Sequence, residues 1–496
     1  MQRSIGSARA EVQRAFERAL NLADSDRPQR FWNFERDLWT RLLSLGRALV
    51  SLFLAHQVAR PRDVEYAHGE RHFVLDGERT SQLGTRFGKV SFLRPIARRR
   101  GAAGRGPADL PVDRELGLCS GFSVGLVMAV TRLCAQLAFG QARGTFRYFH
   151  EWAPSSRAVL RMVDTVGDQA RPFIEQLPGP LGDGDVLVIE VDARGAPMIS
   201  PAEHQRRRAP RKTSRRSTKR HRRRQLRRAR TKPRRNPGDK SKNAKGAFVA
   251  VLYTLRRTPN GREGPINKRL IATFESHEAL FIWLQREAIK RGYGIKPCLF
   301  LADGSDHIWR FQEQYLPLAE TCIDWFHVIE KMWDAGQAFH RPGSQGIRLW
   351  VGRIKKLLRN GRVRTIIREL TAALRDTPKT GPGNKGKRKR LSDAINYLTE
   401  HRHRMRYHHL RANDLVIGTG AAEGAVRNLI ELRLDGPGMR WGRDRAERVL
   451  HLRCILVSGL WDEFSAHVAN APALKLRPSP MPAVPHDATS RLKEAA

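Results

Sequence analysis

The sequence predicts an α/β fold in which a mixed sheet with a helical insertion follows a mainly helical N-terminal region. Between Phe31 and His56, apolar residues recur every three or four positions, which is the period of a helix that packs on one side. From residue 185 onward, short apolar runs bounded by turn residues alternate with helical patterns. Basic helical patterns then fill residues 335–412. Together these observations predict strands joined by hairpins and by crossover helices.

The predicted strands of the sheet lie at 186–191, 246–257, 268–275, 297–301, 321–325 and 415–418. A short link joins the second strand to the third, so these two are expected to be antiparallel. The helix predicted at 277–292 ends at Gly292 and precedes the fourth strand, which suits a crossover to a parallel neighbour. This order of elements fits an RNase H-like core with a helical insertion.

Composition divides the chain into three parts. Residues 1–180 form the mainly helical region, with two or three short strands between His72 and Ile96. Residues 181–465 hold the sheet, a basic insertion at 206–244 and the helical insertion at about 335–412. The Pro- and Ala-rich residues 466–496 are predicted to be disordered.

Two short helical patterns flank the Ala153–Pro154 break within residues 142–166, and Ser155 or Ser156 would cap the second helix. This arrangement suits a helix-turn-helix whose second helix enters a major groove. A plain helical hairpin in a bundle is the alternative, because helix-turn-helix signals are short and degenerate.

The chain is strongly basic: 91 Lys and Arg residues against 49 Asp and Glu residues give a net charge of +42. Such an excess predicts a polyanionic partner, nucleic acid before an anionic membrane surface. From Arg206 to Arg235, 18 of 30 residues are Lys or Arg, so this basic block cannot bury a core. It is expected to order along a phosphate backbone, or else to be an address signal or a solvated segment.

The five cysteines are scattered and form no CxxC pair, which is typical of reduced thiols in a cytosolic protein rather than of a disulfide framework or a zinc site. The N-terminus has no apolar signal core. No uninterrupted apolar run approaches the ~18 residues of a membrane span. These features predict a soluble, cytoplasmic protein without a membrane partner.

Three carboxylates stand at positions that a mixed sheet can bring together. Asp192 and Asp303 follow two of the predicted strands, and Glu423 lies in the first turn of the helix opened by "GTGAAE". Converging carboxylates repel one another unless cations bind between them, and Mg²⁺ prefers few carboxylates completed by water and phosphate oxygens. Two such ions would stabilise the attacking and leaving oxygens of a phosphoryl transfer. The alternative is structural: strand-end aspartates often form turns or cap helices, and Glu423 would then favour the helix dipole.

The chain resembles the DDE transposases of bacterial insertion sequences, in their Kra-type branch, over roughly residues 185–465. The similar stretches are, in order, "VDARGAPM", "LYTLRRTPNGREGPINKRLIATF", "LADGSDHIW", "DWFHVIEKMW", "RHRMRY" and "IGTGAAEGAVRNLIELRLDGPGMRW". The resemblance implies an RNase H-like core and a catalytic, metal-binding triad of Asp192, Asp303 and Glu423. It also implies Mg²⁺ or Mn²⁺ as the cofactor, with two ions expected.

The resemblance further implies roles in DNA binding. His327 of "DWFH" would lie near the scissile phosphate, or would be a structural histidine at the start of a helix. Arg427, one turn after Glu423, and Arg440 are expected DNA contacts, whereas Trp441 is expected to pack. The expected contacts within the basic block are Arg222, Arg223, Arg224, Arg227 and Arg228. Many relatives carry paired cysteines after the short strands, but "RPIARRRGAAGRGPADLPVDRELGL" has none, so no zinc knuckle is predicted there.

The expected function is DNA transposition in a bacterial, nucleoid-associated setting. Residues 1–180 would bind the terminal inverted repeats of the element. The sheet domain would cut double-stranded DNA and join the freed 3′-hydroxyl to target DNA, as a homodimer or a higher oligomer. Two alternatives stay open: an RNase H-like junction-resolving nuclease, and a basic nucleic-acid-binding protein without enzymatic activity.

Overall fold

The computed structural model describes residues 5–24, 26, 28–99, 108–199, 244–436, 439–471 and 474–476. The chain divides into two compact units: Met1–Phe173 together with the segment from Gly459, and Ile174–Ser458. The C-terminal helix, Trp461–Asn470, therefore groups with the N-terminal unit. The sequence instead predicts that the sheet domain extends to residue 465 and that disorder begins at residue 466. The basic block and the expected DNA contacts from Arg222 to Arg228 lie outside the described residues.

The N-terminal unit combines helices with a small antiparallel sheet. Its elements are α1 (Ile5–Ala23), α2 (Phe31–Val58), β1 (Glu65–His68), β2 (Arg71–Thr85), β3 (Gly88–Arg99), α3 (Pro111–Glu115), α4 (Val124–Gln136), α5 (Phe139–His150), α6 (Ser156–Gln176) and the C-terminal helix Trp461–Asn470. Strands β1, β2 and β3 pair in chain order. Leu54 of α2, Leu83 of β2 and Phe92 of β3 share one hydrophobic core, because each element turns an apolar side toward the others.

Helix α2 is the one described helix that is long and apolar enough to cross a membrane by length and composition, with a mean hydropathy of 1.4 in its most apolar window. Core helices of soluble proteins and signal sequences share this property. Leu43 and Leu54 of α2 are buried within the protein. The sequence predicts no membrane span, and α2 is the described helix that departs from this prediction by length and composition.

Helices α5 and α6 correspond to the two helical patterns at 142–166. The Ser155 hydroxyl accepts a hydrogen bond from the Ala158 amide at 3.2 Å, so this serine caps α6 as the sequence indicated. Val159, Met162 and Val166 of α6 are buried, so much of this helix serves packing. Its contact with DNA stays a prediction.

The second unit is built on a mixed five-stranded sheet in the order β6-β5-β4-β7-β8. The strands are β4 (Val186–Pro197), β5 (Ala244–Thr258), β6 (Gly261–Thr273), β7 (Cys298–Ala302) and β8 (Glu320–Ile323). Strand β5 is antiparallel to β4 and β6, whereas β7 is parallel to β4 and β8. Every residue of β7 is buried, as expected of a parallel strand covered on both faces. The prediction of a mixed sheet is confirmed.

Nine helices follow among the described residues of this unit: α7 (His277–Ile289), α8 (Asp306–Tyr315), α9 (Trp325–Gly336), α10 (Gln345–Arg359), α11 (Val363–Asp376), α12 (Asn384–His401), α13 (Tyr407–Ala412), α14 (Gly420–Val426) and α15 (Arg443–Val457). Helices α7 and α8 connect parallel strands of the sheet. Helices α10 to α13 occupy the predicted helical insertion, and α10 buries apolar residues at helical spacing. Helix α14 continues into the π-helical turn Arg427–Glu431.

Two strand predictions were wrong in detail. Strand β4 does not end at Asp192 but continues to Pro197, because its antiparallel partner β5 extends beside it. The run 415–418 is irregular rather than a strand. One backbone hydrogen bond joins it to the end of β8, from the Trp325 amide to the Ile417 carbonyl at 3.0 Å. Strand β8 ends at Ile323 and the chain turns into α9, so a longer ladder cannot form there.

Candidate active site

Each of three neighbouring parallel strands is followed, or continued, by an aspartate at the same register position. The last register pairs before these aspartates are Val191–Ala302 and Ala302–Ile323. Asp192, Asp303 and Asp324 come next on their respective strands. The Asp324 amide still donates to the Ala302 carbonyl at 2.8 Å, which keeps the two chains in register. Because residues at matching register positions lie side by side on one face, the three aspartates lie next to one another where the parallel pairing of the strands ends.

Asp324 is fully buried and joins β8 to two helices. One carboxylate oxygen accepts hydrogen bonds from the His327 amide at 2.8 Å and from His327 Nδ1 at 2.6 Å. The other oxygen accepts one from the Thr419 amide at 2.8 Å, at the start of α14. Burial alone would raise the pKa of Asp324, but the hydrogen bonds lower it below its usual value. Hydrogen bonding to Asp324 raises the pKa of the half-buried His327 to about 9, so the two form an ion pair at neutral pH.

Glu190 is a second buried carboxylate that holds α14. It lies on β4 two positions before Asp192, so the two side chains share a face of the strand. Glu190 accepts hydrogen bonds from the Tyr253 hydroxyl at 2.6 Å and from the Ala422 amide at 2.8 Å. Burial raises the pKa of Glu190. Asp324 and Glu190 thus fix the first turn of α14, which carries Glu423.

The three predicted catalytic carboxylates influence one another electrostatically. Burial raises the pKa of Asp192, and the charges of Asp303 and Asp324 raise it further while His327 opposes them. Glu423 is exposed, but partial desolvation raises its pKa, and the charges of Asp324 and Asp192 raise it further while His327 opposes them. We refer to Glu190, Asp192, Asp303, Asp324 and Glu423 as the acidic cluster. Asp192 thus lies within electrostatic reach of both Asp303 and Glu423. The catalytic and metal-binding roles of these three residues stay predictions.

The donor set suits a hard divalent cation, because carboxylate oxygens are the ligands that Mg²⁺ and Mn²⁺ prefer. The ligand atoms of Asp192, Asp303 and Glu423 are not all within 4.8 Å of one another, so their side chains must rotate closer to share an ion. Among the described residues, the group that meets this distance is instead Asp306, Glu400 and His401. Asp306 and Glu400 are exposed, and exposed acidic groups commonly approach one another without a metal, so this second group serves best as a control.

The remaining predicted contacts lie close in sequence to Glu423. Arg427 is exposed on the π-helical turn that follows α14, and Arg440 is exposed further along the chain. Trp441 is buried, and the Arg433 guanidinium lies 4.7 Å from the centre of its ring. Trp441 therefore packs, as expected.

Two buried carboxylates of the site were not assigned to it from the sequence. Asp324 belongs to the recognised "DWFH" motif, where a capping position three residues before His327 was the available signal. Glu190 interrupts the apolar run "VLVIEV", and a lone carboxylate in a buried strand signals a polar group that needs partners. Neither signal says which helix the carboxylate holds.

Comparisons with protein families and with curated proteins find no match for this chain.

Proposed function

We propose that this protein is a DDE transposase whose five-stranded sheet is an RNase H-like core. One observation carries the proposal. Asp192 and Asp303 lie side by side where the parallel pairing of β4 and β7 ends, and Asp324 and Glu190 hold the helix that carries Glu423 next to them. The strand order, with β5 running against the other four strands, supports the same fold. So does a helical insertion before the third carboxylate.

In this proposal Asp192 and Asp303 hold the cations, and Glu423 completes the second site. Bound Mg²⁺ or Mn²⁺ ions would stabilise charge on the attacking and leaving oxygens of the phosphoryl transfer. A nearby cation favours the ionised form of a carboxylate, so ion binding would offset the raised pKa values of Asp192 and Glu423. His327 adds positive charge beside Asp192, where it would attract a DNA phosphate.

The proposed reaction has two steps. In the first, a water oxygen bonds to the scissile phosphorus, the bond to the 3′ oxygen breaks, and that oxygen takes a proton to become a 3′-hydroxyl. In the second, this hydroxyl loses its proton and attacks a phosphorus of target DNA, where another 3′-hydroxyl leaves. Both steps are in-line displacements at phosphorus, so one set of carboxylates can serve both.

Double-stranded DNA is the proposed partner, and the net charge of +42 supports it. The N-terminal unit would bind the terminal inverted repeats, while Arg427 and Arg440 would contact phosphates near the acidic cluster. Two ends of an element must be cut and joined together. A homodimer or larger assembly on DNA is therefore part of the proposal.

The test is cleavage of a labelled duplex that carries the DNA flanking this gene, in Mg²⁺, Mn²⁺ or EDTA. Wild type is compared with Asp303→Asn and with Asp306→Asn, which makes the same change three residues away in the exposed acidic group. We expect metal-dependent cuts at a defined end, lost in Asp303→Asn and kept in Asp306→Asn. Binding of the duplex by Asp303→Asn should persist, because this change removes a negative charge.

The other outcomes separate the alternatives. Loss of cutting in Asp306→Asn alone would move the metal site to the exposed group and contradict the proposal. Cutting of four-way junctions without transfer of a 3′ end to target DNA would favour the junction-resolving nuclease. Binding without cutting in any metal would favour the non-enzymatic alternative.

A further inference from the structure

Tyr397, on α12 of the helical insertion, packs against the residue that follows Asp303. A Cβ atom at Gly304 would lie 2.4 Å from Cε2 of Tyr397 and 3.1 Å from its hydroxyl oxygen. Only glycine fits beneath the tyrosine ring at that distance. The Lys331 ammonium lies 5.8 Å from the centre of the same ring. The insertion thus contacts the chain directly beside a predicted catalytic carboxylate.

The Tyr397 hydroxyl is buried and has no hydrogen-bond partner among the described residues. An unpaired buried hydroxyl costs free energy, and such groups in native structures often have a functional explanation. Burial raises the pKa of Tyr397, and the charges of Asp303, Asp324 and Glu330 raise it further. A tyrosine hydroxyl is both a donor and an acceptor, so this unpaired hydroxyl can donate to a neighbouring carboxylate.

We propose that Tyr397 is a positioning residue of the metal site, whose hydroxyl donates a hydrogen bond to the Asp303 carboxylate when Asp303 binds a divalent cation. One oxygen of Asp303 already accepts from the Ser305 amide at 2.9 Å. A second donor would fix the plane of the carboxylate, because ligating carboxylates are oriented by hydrogen bonds from outside the coordination shell. This inference rests on the proposed function, since it takes Asp303 as a cation ligand.

The test is Mn²⁺ binding to the full chain without DNA, followed by the electron paramagnetic resonance signal of free Mn²⁺. The variants are Tyr397→Phe, Asp303→Asn and the double variant. Tyr315→Phe is the matched control, because it removes a tyrosine hydroxyl that instead contacts Glu278 at 3.2 Å. We expect Tyr397→Phe to weaken Mn²⁺ binding about tenfold, which is within the range for loss of a hydrogen bond that orients a metal ligand. Tyr315→Phe should leave it unchanged.

Two further measurements distinguish a positioning role of Tyr397 from a structural role. The double variant should bind Mn²⁺ no more weakly than Asp303→Asn, since Tyr397 acts only through Asp303. The melting temperature of Tyr397→Phe without metal should not fall, because the ring is kept and the lost hydroxyl has no partner there.

Three other results would contradict this inference, and one of them would also contradict the proposed function. An unchanged Mn²⁺ affinity in Tyr397→Phe beside a loss in Asp303→Asn would overturn the role of Tyr397 and leave the proposed function standing. A further loss in the double variant would also overturn it, because Tyr397 would then act independently of Asp303. An unchanged affinity in Asp303→Asn would remove the metal site of the proposed function, and this inference with it.

Discussion

The Asp324 carboxylate ties β8, α9 and α14 together through three hydrogen bonds to its two oxygens. A carboxylate accepts hydrogen bonds at both oxygens, whereas an asparagine amide accepts at only one. Asp324 therefore contributes to the fold through its capacity to accept on both sides as well as through its charge. That capacity fixes the position of Glu423 relative to Asp192 and Asp303.

We expect Asp324→Asn to lower the free energy of unfolding by about 3 kcal/mol, because at least one buried donor loses its acceptor. DNA cleavage should fall with it, since the first turn of α14 is no longer held. Asp334→Asn, the same change at an exposed site of α9, should cost less than about 0.5 kcal/mol. Urea denaturation of both variants measures the difference, and equal stabilities would refute the role given to Asp324.

The His327–Asp324 ion pair predicts a pH dependence of stability. The pKa of His327 is raised to about 9 in the folded protein, against ~6.5 for an unperturbed histidine. Protonation therefore favours the fold. The full contribution is present below pH ~6.5 and is lost as the pH rises through about 9.

This predicts that His327→Gln destabilises the protein more at pH 6 than at pH 10, when unfolding is measured in EDTA. The exposed His408→Gln controls for the substitution itself. The same loss at both pH values would mean that the charge on His327 does not contribute to stability.

The residues of the site differ in how well the sequence alone predicts them. Asp303 is predictable because an apolar run leads directly into it and a parallel strand fixes where it ends. Glu190 is not, because its partner, the Ala422 amide, lies on a distant helix. The pairing of Tyr397 with Gly304 has no local signal either, since glycine at that position reads as ordinary turn chemistry.

Helix α14, which carries Glu423, is held in place by other elements rather than by stability of its own. It has 7 residues, three of them alanine and two glycine. An isolated helix of this length is not stable in water. Its place is set by Asp324 and Glu190, which receive hydrogen bonds from the backbone amides of its first turn. The sequence predicts a helix here, but it does not indicate that Asp324 and Glu190 hold that helix in place.

Two glycine substitutions, one at the contact between α12 and the end of β7 and one away from it, should have opposite effects on stability. Gly304→Ala should destabilise the protein by about 1–3 kcal/mol, because its Cβ would lie 2.4 Å from Tyr397. Gly352→Ala, on the exposed side of α10 with nothing within 4 Å of its Cβ, should stabilise it by about 1 kcal/mol. Thermal unfolding tests both. A neutral Gly304→Ala would show that α12 does not press on the strand end.

The overall charge of +42 makes DNA binding by the whole chain strongly dependent on salt. Each phosphate contact that a Lys or Arg makes steepens the fall of affinity with salt by ~0.9 logarithmic units per tenfold change. A charge that only adds to the general field of the protein has a weaker effect on that slope. The salt slope therefore distinguishes residues that touch DNA from residues that merely make the protein basic.

Replacing Arg222, Arg223, Arg224, Arg227 and Arg228 together with Gln should reduce the slope by up to ~4.5 units if all five contact phosphates. The matched control replaces five exposed charges of the helical insertion: Lys379, Lys385, Lys387, Lys389 and Arg390. Both variants lower the net charge by the same amount, so a larger reduction in the arginine variant assigns the contact to the basic block. Equal reductions would mean that the block contributes only through net charge. Fluorescence anisotropy of a labelled duplex over a salt series gives both slopes.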